Sequence, residues 1–128
     1  MKNALLLLLP AMTLFSCKPS DEENTAGKGG AGVLRITPQH HKTPIKNARV
    51  YIKYNASDYP ASFDDSTTAV QVNGTPVATF SGMKEGRYYL YGKGHDSLIS
   101  EDVQGGLPFH LHSQDTQSVT VFVTEDGH

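Results

Sequence analysis

Hydrophobic and polar positions along the chain fall into three distinct patterns. Ala4 to Phe15 is a continuous apolar run broken only by Pro10 and Thr13. At about a dozen residues it is well short of the roughly twenty that a helix needs to cross a bilayer. Lys18 to Gly32, KPSDEENTAGKGGAG, then has no aliphatic side chain larger than alanine, so it has little apolar surface to bury. From Val33 onward apolar residues alternate with polar ones, with period two, between clusters of Gly, Pro, Asn and Asp. Helical periodicity is absent.

The alternation predicts strands over 33–37, 48–54, 69–72, 77–80, 87–93, 107–112 and 118–124. Leu34 and Ile36 share one face of the first; Val50, Ile52 and Tyr54 oppose Arg49, Tyr51 and Lys53 in the second. An Asn73-Gly74 pair between two of the runs signals a hairpin. Tyr88 and Leu90 point opposite to Tyr89, Tyr91 and Lys93; Leu107, Phe109 and Leu111 oppose Pro108, His110 and His112; Val119, Val121 and Val123 point inward. Six or seven short strands with turn signals between them predict an all-β fold, a single β-sandwich spanning 33–124. Some ninety residues suffice for one domain with one core.

The N-terminal pattern changes the picture of where the protein resides. Lys2 precedes the apolar run and Leu14-Phe15-Ser16-Cys17 follows it, the layout of a signal peptide over 1–16. The tetrapeptide resembles the lipobox of bacterial lipoproteins, with an aliphatic residue at −3 and a small one at −1; Phe15 is bulkier than usual at −2. Cys17 is the single cysteine, so no internal disulfide is available to it and lipidation gives it a use. The resemblance implies three acyl chains on Cys17, and at ~0.8 kcal/mol per buried methylene they anchor the chain to a bilayer. Residues 17–32 then read as the lipidated cysteine and a flexible tether, which would hold a domain ~20 Å or a little more from the lipid. Asp21, Glu22 and Glu23 resemble signals that send some Gram-negative lipoproteins to the cell surface, which implies an outer-membrane protein facing outward.

Loss of the leader removes one lysine and leaves ten basic against thirteen acidic residues, a charge of −3. That balance argues against nucleic acid as a partner.

KTPIKNARVYIKY followed by NGTPVATFSGMKEGRYYLYGKGHD resembles the carboxypeptidase regulatory-like domains and the B-type repeats of collagen adhesins. Pro44, Ala48, Val50, Gly74, Phe80, Met83, Gly86, Tyr88 and Leu90 carry the likeness. Thr43 and Asn47 replace common glycines, and two extra residues follow Gly74. The resemblance implies a prealbumin-like (transthyretin-like), immunoglobulin-like sandwich of about seven strands. It implies a positive φ at Gly86 and an inward tyrosine after it. Some adhesin repeats form a Lys–Asn isopeptide bond through an asparagine in the last strand; Ser118 to Thr124 contains none, so no such bond is expected.

Nothing in the chain marks an enzyme. The cysteine is committed to lipid, and G-x-S-x-G, a phosphate loop opening a helix, and His-Glu-x-x-His are all missing. A non-catalytic binding or structural module is therefore expected, with no cofactor.

Two side-chain sets remain as candidates. His40 and His41 lie in the first turn and His95 follows the tyrosine-rich strand; if these meet at one end of the sandwich, with Asp96 nearby, they offer mixed N/O ligands to zinc or copper. The alternative is that histidines simply tolerate exposed loops and strand faces. Separately, Tyr51, Tyr89, Tyr91, His110 and His112 fall on one outward sheet face beside Arg49, Lys53 and Lys93, the residue types that binding surfaces favour. Cross-strand tyrosines also simply stabilise sheets. A protein or glycan partner, or a role as accessory subunit of an outer-membrane complex, suits this face; a histidine-based metal-binding envelope protein suits the first set. Asp65-Ser66-Thr67 and Asp96-Ser97-Leu98 resemble bacterial O-glycosylation sites.

Overall fold

A computed structural model describes residues 25–126, so Cys17, the leader and His128 lie outside the described residues. Two sheets enclose one core. In the first, β1 (Lys28–His40) is central: β6 (Thr75–Met83) pairs with it antiparallel and β9 (Thr116–Phe122) parallel. The short β2 (Thr43–Pro44) pairs with the last two residues of β1, and β5 (Val70–Val72) flanks β6. The second sheet is antiparallel in the order β4 (Asp65–Thr68), β3 (Arg49–Tyr54), β7 (Gly86–Asp96), β8 (Glu101–Leu111).

The predicted alternation is what closes the sandwich. Leu34, Ile36 and Phe80 from one sheet meet Val50, Ile52, Tyr88 and Leu90 from the other, all buried, with Leu111, Val121 and Val123 completing the layer. Each such side chain contributes roughly 1.5–3 kcal/mol of hydrophobic stabilisation. Asn73 and Gly74 take φ of 52° and 84°, the two positive values of a type I′ hairpin turn joining β5 to β6.

The described residues form nine strands rather than six or seven. The two without a predicted counterpart are β2, only two residues long, and β4. β4 (DSTT) pairs with β3 alone and is half-buried throughout, so its sequence has no apolar alternation to read.

The larger difference lies at the N-terminal end. β1 starts at Lys28, five residues before the predicted strand, so the Gly-rich run assigned to the tether is part of the sheet. Lys28 and Gly32 both pair with Met83, with a bulge between them. A Cβ on Gly30 would sit 2.3 Å from the Met83 carbonyl oxygen. The glycines are there because two backbones approach too closely for side chains, a geometry that composition alone cannot separate from a linker. Upstream, Ala26 is buried, its N–H donating to Asn55 Oδ1 at 3.0 Å. Gly27 N–H donates to the Tyr88 phenol at 2.8 Å, and Lys84 N–H donates to Gly27 O at 2.8 Å. Gly86 has φ 152°, and a Cβ there would meet Ala26 N at 2.7 Å. Residues 26–32 thus belong to the folded unit.

Candidate functional site

The outward face of the second sheet is set by register. Tyr51 stands opposite Tyr91 and Lys53 opposite Tyr89 across β3 and β7, while Tyr89 and Arg87 face Pro108 and His110 of β8. Tyr51, Tyr89 and Tyr91 therefore share one face, as alternation predicts. That face is not left to solvent.

Residues 55–64, between β3 and β4, fold back across it. The segment is pinned where Tyr54 N–H donates to Asp64 Oδ2 at 2.7 Å and Asp64 N–H donates to Ile52 O at 2.9 Å. Its Phe63 ring stacks on Tyr91 at 5.7 Å and lies 5.3 Å from Tyr51. Tyr59 sits edge-on, 4.9 Å from Tyr91 and 6.3 Å from Tyr89. Tyr91 is consequently only 6% exposed, its hydroxyl donating to Gln104 Oε1 at 2.7 Å, whereas Tyr59 is 61% exposed. Burial pushes the phenols of Tyr89 and Tyr91 above the usual tyrosine range. The expectation of a wet tyrosine stripe is thus corrected: a second, smaller aromatic layer lies outside the sheet, and Tyr59 is its solvent-facing ring. Tyr59 and Phe63, four apart in an otherwise small and polar loop, were the available signal in the sequence.

The second set lies where β1 ends. Inward positions of β1 run Leu34, Ile36, Pro38, His40, so alternation buries His40. There its Nδ1 is 2.7 Å from Asp96 Oδ2 at the end of β7, with side chains 1% and 6% exposed. Its Nε2 is 3.1 Å from Glu125 Oε1. Glu125 is carried there by Val123 N–H donating to Gln39 O at 3.0 Å and by the Gln104–Thr124 bridge. The His41 ring lies 4.1 Å from that of His40. The hydrogen bond to Asp96, with Glu125 behind it, holds the His40 imidazole above its ordinary pKa against the cost of burial. His40 in turn holds Asp96 below the usual carboxylate range. Glu125 is lowered by its own backbone N–H and by His40.

His95 does not join this group. Consecutive residues of a strand face opposite ways, so with Asp96 turned inward His95 points out. There its Nδ1 is 2.9 Å from Asp102 Oδ1 in an exposed pair. The predicted trio His40, His41, His95 is therefore not assembled; His40, His41 and Glu125 have ligand atoms within 4.8 Å of one another. Glu125 lies just past the predicted sandwich, 33–124, where nothing local distinguishes it.

His110 and His112 stay exposed on one face with ring centroids 4.0 Å apart. Ser66 Oγ accepts from Arg49 at 2.8 Å within the β3–β4 pair, while Ser97 is exposed in the β7–β8 turn.

Compared with known proteins, the sequence matches no protein family and has no significantly similar curated relative. Among the described residues, no helix is long and apolar enough to cross a membrane.

Proposed function

We propose that this chain is a lipoprotein of the outer membrane, anchored through acylated Cys17 and facing the cell surface, whose prealbumin-like sandwich serves as a non-catalytic binding or structural module. The observation that carries the reading is the path of β1. Thirteen residues long, it runs from the end where the anchor segment enters to the end that holds His40; past the bulge at Lys28–Gly32, its extended part from Gly32 to His40 spans roughly 26 Å. Between Cys17 and Thr25 lie eight peptide steps, which reach at most about 26–29 Å. Lipid on Cys17 would keep the Ala26 end near the bilayer and turn the opposite end outward. The LFSC motif after a short apolar run supports the anchor, and the Asn73-Gly74 turn, Gly86 and inward Tyr88 support the fold family.

The solvent-facing Tyr59, set on the aromatic layer of Tyr51, Phe63, Tyr89 and Tyr91, is the surface best suited to a protein or glycan partner. A large rigid ring gives contact area at little entropic cost. Replacing Cys17 with serine tests the anchor. Labelling by an alkyne fatty acid should vanish and the protein should leave the membrane fraction; a Cys17→Ser protein that still sediments wholly with membranes refutes it.

A further inference from the structure

We infer that the end of the sandwich opposite the anchor holds a divalent transition-metal site, with His40 Nε2, His41 and a Glu125 carboxylate oxygen as ligands and Asp96 orienting His40. The inference stands whether or not the chain is lipid-anchored.

Position comes first. One ligand atom from each of His40, His41 and Glu125 lies within 4.8 Å of the others, and His40 Nε2 is 3.1 Å from Glu125 Oε1. Ligands about 2.0–2.1 Å from a tetrahedral zinc sit roughly 3.4 Å apart, so an ångström or so of side-chain movement closes the set. That movement is available, because His41 and Glu125 are on the surface while only His40 is buried.

Orientation comes next. Metal-bound histidines commonly donate their second ring N–H to a carboxylate, which selects the tautomer and raises ligand basicity. Asp96 occupies that place, buried and 2.7 Å from His40 Nδ1, leaving Nε2 directed at Glu125. Asp96 is itself held by Leu98 N–H, which donates to Oδ1 at 2.9 Å. A carboxylate buried beside one edge of an imidazole, with a second carboxylate at the other edge, is more than a surface cluster needs.

The backbone at His41 sets the pair of rings. Had β1 simply continued, His41 would point away from His40. Instead His41 adopts a left-handed conformation, φ 57°, which brings the two rings to 4.1 Å. The tight β1–β2 hairpin, in which His40 pairs with Thr43 and His41 begins the two-residue loop, requires that conformation and so fixes His41 beside His40. Two imidazoles and one carboxylate suit zinc, copper(II) or nickel, and the exposed side of the set leaves a coordination position open to water or a partner's side chain.

The test is calorimetric titration of zinc chloride into the untagged full chain in detergent. One-to-one saturable binding in the micromolar range is expected. His41→Ala and Glu125→Gln should each weaken it by at least about tenfold, and Asp96→Asn by about 10–100-fold, as loss of an orienting carboxylate does. His95→Ala and a His110→Ala/His112→Ala double variant should bind as the parent does. Should Asp96→Asn fail to fold, the two surface variants decide alone. Absence of saturable uptake, parental affinity in both His41→Ala and Glu125→Gln, or loss of binding in the His110/His112 variant overturns the assignment.

Discussion

Replacing Tyr88 with phenylalanine removes one oxygen and leaves the ring, so it isolates the tie between the N-terminal segment and the core. The ring is fully buried and packs edge-on against Tyr54 at 5.9 Å. Its hydroxyl donates to Lys84 O at 2.6 Å and accepts from Gly27 N–H at 2.8 Å. Phenylalanine keeps the packing, so no cavity contributes. The buried Gly27 N–H is left without its acceptor, which costs about 1–3 kcal/mol, and the Lys84 carbonyl loses a donor worth about 0.5–1 kcal/mol after water competes for it. A loss of about 1.5–4 kcal/mol is a large part of a total near 5–15 kcal/mol. For a domain of roughly a hundred residues each kcal/mol moves Tm by about 4–8 °C, so a fall of about 6–32 °C is expected. Urea melts should show a lower midpoint with an unchanged slope, because the surface exposed on unfolding is the same. Amide exchange should quicken at Lys84, whose N–H donates to Gly27 O. A destabilisation below about 0.5 kcal/mol, or unchanged exchange at Lys84, refutes the reasoning. Tyr88→Ala adds to the same loss a cavity worth about 3–5 kcal/mol, so it should cost clearly more than Tyr88→Phe.

Phe63→Ala uncovers Tyr91 and Tyr51 and should cost about 1.5–4.5 kcal/mol through three ring contacts, to Tyr51, Tyr59 and Tyr91, of about 0.5–1.5 kcal/mol each, whereas the exposed Tyr59→Ala should cost less; equal melts count against a capped layer. Gly30→Ala forces a methyl against the Met83 carbonyl and should destabilise by about 1–3 kcal/mol; a neutral result returns the glycine run to the tether. In metal-free buffer the urea midpoint should also depend on pH. His40 is raised, so its contribution is complete below its ordinary value near 6.5 and fades as pH rises through the raised folded value. Asp96 is lowered, so its contribution is present above the ordinary value near 3.9 and fades as pH falls through the depressed one. Stability should therefore be greatest between these limits, and Asp96→Asn should flatten both sides; a parent protein with no change in midpoint from pH 6 to 9 contradicts the pairing.

How much of this was legible in the sequence depends on whether the cause is local. Period-two alternation in β1, β3, β7 and β9 names the inward residues because a pleated strand turns successive side chains to opposite faces. The Asn73-Gly74 turn is legible for a similar reason, since few residue pairs accept two positive φ values. Those local constraints settled the all-β class, the register that buries Tyr88 and Leu90, and the shared face of Tyr51, Tyr89 and Tyr91.

Tertiary structure decided the rest, because the deciding contacts join residues far apart in sequence. Lys28 to Gly32 reads as linker until the Met83 backbone is seen against it. Tyr91 reads as exposed until Phe63 covers it. His95 and Asp96 are neighbours in the chain, yet only the packing of β7 against the end of β1 shows that Asp96, not His95, meets His40. Glu125 has no local pattern at all: it reaches His40 from 85 residues away because β9 pairs in parallel with β1 and delivers both chain segments to the same end. A strand's periodicity says which way a side chain points; which partner waits there is fixed by how the two sheets are stacked.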